Sequence, residues 1–150
     1  MARLHSKKHG HSRSKFPKRW EVPEWQVMSK DEVEDIVIKL AKQRFSPSMI
    51  GMILRDRYGV PSIRAVFKKR LTKVLKEHGL YKLPEDLLSL LKKAVKMHQH
   101  LQNHKSDIHN QTKYKHVLSK IHRLVKYYKR EGVLPADWKY SPELAVLLVK

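Results

Sequence analysis

The chain contains no cysteine. Disulfides and thiolate-held metals are therefore excluded, and the absence fits a reducing cytosol. Glycine is scarce, with 5 in 150 residues, and no glycine-rich phosphate loop occurs. Acid is also scarce: 14 Asp and Glu stand against 33 Lys and Arg, a formal net charge of +19. A chain so charged repels itself, and a polyanion screens that repulsion; nucleic acid is the commonest such partner. The longest apolar run near the C-terminus, AVLLV, is far shorter than the ~20 residues a membrane helix needs. The N-terminus lacks the apolar core of a secretory signal; it is basic and acid-free like a transit peptide, but Gly10 and Pro17 interrupt any amphipathic helix there. Repeats and alternating strand runs are missing too, so the expected fold class is all-α.

What is present divides the chain into three parts. Residues 1–28 are expected to be an extended basic tail, 29–80 an N-terminal helical region and 81–150 a second helical region. The tail carries Arg3, Lys7, Lys8, Arg13, Lys15, Lys18 and Arg19 without an acid up to Trp20. So dense a block of like charge buries no core and suits an arm that grips a polyanion. Ser29 with Glu32 makes a capping box, and Asp31, Glu34 and Asp35 suit the positive end of a helix. Ser46 and Pro47 start another helix that Gly59 stops. A third is expected from Pro61 or Ser62 to His78, ended by Gly79. The pair joined by YGVPS resembles a helix-turn-helix. Pro84 opens a helix whose apolar stripe is Leu87, Leu90, Leu91, Ala94, Met97 and Leu101. His98 falls inside that stripe and is expected to be packed and hydrogen-bonded, whereas His100 falls opposite, with Lys93 and Lys96. Ser141 and Pro142 start a short last helix.

The helix expected from the Asn110 cap to Gly132 is the most informative. Tyr114, Val117, Leu118, Ile121, Leu124, Val125 and Tyr128 form its apolar stripe. A second stripe, Lys113, His116, Lys120, Arg123, Tyr127 and Arg130, lies about 130° round the helix. A merely solvated helix mixes signs to gain i,i+4 pairs, and this face has no acid. Cations for phosphates with a ring for a base or sugar are what a nucleic-acid surface requires.

Between these two helices lies HKSDIHNQTKYK, residues 104–115. As a metal site it offers His100 and His104, four apart, with Asp107 and His109. The run HLQNH lacks the glutamate of a zinc hydrolase, and the surrounding positive charge opposes a dication. As a catalytic site it pairs Asp107 with His109 but supplies only Ser106 as a nucleophile. As a nucleic-acid reader it offers Asp107 to accept from an exocyclic amino group or a 2′-hydroxyl, and Asn110 and the histidines both donate and accept. Asp107 and Asn110 also suit helix capping, and the two roles are compatible. A wide, shallow RNA minor groove exposes hydroxyls and base edges to such a loop, so RNA is expected over DNA.

At these residues the chain resembles the universal small-subunit ribosomal protein S-fifteen family. The resemblance rests on HLQNHKSDIHNQTKYKHVLSKIHRLVKYYKREGVLP, with its His-Leu-x-x-His-x-x-Asp-x-His run and basic helix. MARLHS, VPEW, SPSMIGMILRDRYGVPSIRAV and LPEDLLSLLKKAV look like the archaeal and eukaryotic branch. The resemblance implies a helical, non-enzymatic constituent of the cytoplasmic small ribosomal subunit, without cofactor or metal. It would bind small-subunit ribosomal RNA at a three-way junction and at an adjacent minor groove with a G·U wobble, beside neighbouring ribosomal proteins. For the groove it implies His100, Asp107 and Asn110, the last standing where bacterial members have serine. For the junction it implies Lys93, Arg123 and Tyr127, while Asp86 stands where bacterial members have a glutamine contact.

The combined expectation is a helical bundle with a long C-terminal helical hairpin, a helix-turn-helix-like N-terminal region and a basic tail. RNA contacts are expected at His100, His104, Asp107, His109, Asn110, Lys93, Lys113, Lys120, Arg123, Tyr127 and Arg130, and at the seven tail cations named above. The alternative is a DNA-binding helix-turn-helix protein reading through residues 46–71, although no dimer interface for paired half-sites is evident.

Overall fold

A computed structural model describes residues 21–81 and 83–149. The tail cations Arg3, Lys7, Lys8, Arg13, Lys15, Lys18 and Arg19 lie outside the described residues. The described chain is helical throughout, with seven helices and no strand, as the periodicity requires. It divides between residues 82 and 83 into two compact units.

The first unit contains α1 (Lys30–Lys42), α2 (Pro47–Tyr58), α3 (Ile63–Phe67) and α4 (Leu71–Glu77). The capping box of α1 is complete: the Ser29 N–H donates to Glu32 Oε2 at 2.8 Å, and the Glu32 N–H donates to Ser29 Oγ at 3.3 Å. Ser46 Oγ accepts from the Met49 N–H at 3.3 Å, with Pro47 first in α2. Gly59 ends α2 at φ 65°, a left-handed turn that a side chain resists. Val33, Val37, Leu40, Ile50, Leu54, Val60, Phe67, Val74 and Leu75 form one buried cluster, with Met28 against it.

The single helix expected over 61–78 is two. It breaks after Phe67, where Lys68 takes φ 55° and its N–H returns to the Arg64 carbonyl. Apolar spacing through Ile63, Val66, Phe67, Leu71, Val74 and Leu75 suits one continuous helix, so periodicity conceals the break. Ala65 and Phe67 before the turn and Val74 and Leu75 after it are all buried.

The second unit contains α5 (Glu85–Asn103), α6 (Ile108–Arg130) and α7 (Pro142–Val149). Leu87, Leu91 and Ala94 of α5 pack with Val117, Ile121 and Val125 of α6 and with Ala145 of α7. Each fully buried leucine or isoleucine contributes about 1.5–3 kcal/mol by leaving water. The hairpin is pinned at its far end, where the Tyr128 hydroxyl donates to both Asp86 carboxylate oxygens at 2.7 and 2.8 Å. Asp86 Oδ1 also accepts from the Leu87 N–H at 2.8 Å. The Tyr114 and Tyr140 hydroxyls lie 3.4 Å apart, tying the segment before α7 to α6. Ser141 Oγ accepts from the Leu144 N–H at 3.1 Å, which caps α7 as expected.

Candidate nucleic-acid interface

The turn between α5 and α6 places its polar groups by local rules. The helix begins at Ile108 and its cap is Asp107 rather than Asn110. Both residue types cap well, but Asp107 stands three residues before the N–H it reaches, whereas Asn110 is already the third helical residue. Asp107 Oδ1 accepts from the Asn110 N–H at 2.9 Å, and Oδ2 accepts from Asn110 Nδ2 at 2.7 Å. His100, one turn back on α5, brings Nε2 to 3.1 Å from the same Oδ2. Three donors thus converge on one carboxylate. The Asn110 N–H first, then its side-chain amide and His100, hold the Asp107 carboxyl well below the ordinary carboxylate range. It is an anion at any physiological pH, in a stretch of sequence that also carries Lys105, Lys113 and Lys115.

The resulting corner presents acceptors and donors outward. His100 is exposed and its ring lies 4.6 Å from that of His104, tilted by 35°. His104 and His109 are exposed as well, while Asp107 and Asn110 are half-buried. Gln111 Nε2 closes the turn by donating to the Lys105 carbonyl at 2.6 Å. Ile108 is 74 % exposed and packs on nothing in the core. Among the described residues no three His, Asp or Glu side chains are grouped to hold a metal ion. The histidines are instead divided. His98 is half-buried, 5.9 Å from the Tyr114 ring, with Nε2 3.3 Å from Gln102 Nε2. It lies at the edge of the packed stripe and not within the buried core.

The second stripe of α6 has the predicted face. Lys113, His116, Arg123, Tyr127 and Arg130 are exposed, and Lys120 is partly so. Tyr127 is 45 % exposed. Its ring stands edge-on to Tyr128, 5.2 Å between centroids, and the Arg130 guanidinium lies 5.7 Å from its centre. Tyr128 is itself bonded to Asp86, so Tyr127 is a ring held outward by packed neighbours and flanked by cations. Lys93 is exposed on α5. Asp86 is occupied by Tyr128 and Leu87, so at that position this chain has a link between α5 and α6.

Two features escaped the reading of sequence. The Asp86–Tyr128 link joins residues 42 positions apart, which no local pattern reveals. A further row of cations on α6, Lys115 and Lys126 with His122, was legible only as the absence of any acid from 108 to 130.

Residues 1–60 match the family described as the ribosomal S13/S15 N-terminal domain, and residues 68–148 match the one described as ribosomal protein S15. Curated relatives are similar over the full length. A protein of Methanocella arvoryzae is 49% identical over 150 residues, covering 99% of each chain. One of Methanococcus vannielii is 48% identical over 151 residues and covers 100% of both. One of Nanoarchaeum equitans is 50% identical over 150 residues, covering 98% of this chain and 97% of its own. Each is named small ribosomal subunit protein uS15.

Proposed function

The chain belongs to the ribosomal protein S15 family, and from that membership we propose that it is a structural constituent of the small ribosomal subunit that binds small-subunit ribosomal RNA directly. Its place is then in the subunit itself, beside ribosomal RNA and neighbouring ribosomal proteins. The observation that carries the RNA contact is the acid-free stripe of α6 running into the corner built on Asp107. The corner of His100, Asp107 and Asn110, with His104 and His109 beside it, is suited to the shallow minor groove of an RNA helix. There, hydroxyls and base edges meet small polar groups rather than a whole helix. The stripe of Lys113, Lys120, Arg123, Tyr127 and Arg130, with Lys93 on α5, is suited to a junction: cations for phosphates and one ring for an unstacked base or sugar. The tail cations are assigned to further backbone contacts. The part played is that of a clamp on folded RNA, not of a catalyst.

The helix-turn-helix reading loses its ground. Residues 1–60 belong to a ribosomal domain family, and the positive charge runs through both units instead of gathering on one reader helix. A competition assay separates the two. A ribosomal RNA junction with its adjoining helix should displace duplex DNA from the chain at matched salt. Preference for the DNA would reject the ribosomal reading.

A further inference from the structure

α6 carries more positive charge than the stripe ending at Arg130 accounts for. Lys115, Ser119, His122 and Lys126 recur at 3-4 spacing and fall on one line, about 100° beyond that stripe and about 125° from the buried one. All four are exposed. A shallow groove of about 480 Å³ follows the line, with Leu118 and Arg123 at its sides. His122 is braced from outside the helix: its ring stands edge-on to Tyr140, 6.1 Å between centroids and 82° between planes. From Lys115 to Lys126 the line rises about 16 Å at the usual 1.5 Å per residue.

Resting on the RNA-binding reading above, we propose that this line is a second, separate face for RNA, which takes the phosphate backbone of a strand other than the one met by Lys113, Lys120 and Tyr127. Two physical arguments select that occupant. Folded RNA meets a protein helix along one side and does not surround it, because the minor groove is shallow and the major groove is too narrow to admit a helix. Two lines about 100° apart therefore contact different strands. A protein contact, by contrast, is typically centred on a desolvated core depleted in charged residues and filled by aromatic, Arg or apolar anchors. The single apolar residue here, Leu118, is already packed against the core of this unit. What remains is cationic and polar, as nucleic-acid interfaces are.

The test uses the full chain and a Lys115→Gln, Lys126→Gln double variant. Each is titrated over graded salt against a three-way-junction fragment with its adjoining helix, and against whole protein-free small-subunit RNA. The wild-type chain binding neither RNA would reject the RNA reading itself, separately from this proposal. The variant should bind the fragment like wild type, which also shows that it is folded. On whole RNA its salt slope should fall by roughly 1.4–1.8, from two lost phosphate contacts. The charge-keeping K115R/K126R pair should restore the slope. Unchanged binding to whole RNA overturns the proposal. Equal loss on both RNAs also overturns it, because the line would then belong to the junction surface. A loss seen only when other subunit proteins are present overturns it in favour of an acidic protein partner.

Discussion

Replacing Asp107 by Asn separates its two roles. Asn and Asp cap helices about equally well, so Oδ1 of the new side chain can still accept from the Asn110 N–H. The other branch becomes an amide nitrogen facing Asn110 Nδ2 and His100 Nε2, which now lie 2.7 and 3.1 Å from Oδ2. Two of the three bonds to the carboxylate are therefore lost, and the cap remains. The melting temperature of D107N should fall by less than that of D107A, which also loses the cap and should drop by roughly 4–8 °C. RNA affinity should respond differently. Both variants should bind a junction fragment carrying its adjoining groove roughly 10- to 100-fold more weakly, the usual scale for losing a hydrogen bond to a charged group. A fragment lacking that groove should be bound as before. The pH dependence has a definite sign. Folding lowers the Asp107 carboxyl, so its contribution is present above the unfolded value of about 3.9 and disappears as pH falls through the lower folded value. Between pH 7 and pH 5 wild type should lose nothing from this residue. Thermal melts and fluorescence titrations supply the readings. D107N melting as low as D107A, or weakening equally on both fragments, would refute the division of roles.

Changing Lys113, Lys120, Arg123 and Arg130 together to Gln should lower the salt slope of RNA binding by roughly 3, at about 0.7–0.9 per phosphate contact, with the far-ultraviolet spectrum unchanged. Deleting residues 1–20 should flatten the salt dependence of binding to whole small-subunit RNA, as titration over graded salt would report. Ile121→Ala, at a position with 0% exposure, should cost about 2–5 kcal/mol in denaturant unfolding and leave the binding of the folded protein near wild type. Gly59→Ala should cost roughly 1–2 kcal/mol, because φ is 65° there, and a urea midpoint measures it. Its new Cβ would sit 3.7 Å from the Trp25 ring, an ordinary contact, so strain rather than a clash sets the loss.

The helix ends were legible because caps are local. Ser29 with Glu32, Ser46 with Pro47, and Ser141 with Pro142 each act within three or four residues, and the structure has all three. The packed stripes of α5 and α6 were legible from 3-4 spacing. The break at Lys68 was not, since apolar spacing continues across it and the turn serves packing that only the folded unit contains. The cap of α6 was misplaced by three residues because Asp107 and Asn110 are both good caps, and which of them reaches a free N–H depends on where the helix starts. The corner was recognisable by type but not by arrangement. That His100, Asp107 and Asn110 share one carboxylate requires the hairpin to bring α5 back to the start of α6.

The central claim, that this chain grips small-subunit ribosomal RNA by itself, is tested most directly by equilibrium binding of the purified chain to protein-free RNA. Whole small-subunit and large-subunit ribosomal RNA would be titrated in parallel at physiological salt. The account predicts saturable binding at one stoichiometric high-affinity site on the small-subunit RNA and only weak, salt-labile association with the large. Equal affinity for the two, or no binding until other subunit proteins are added, would contradict it.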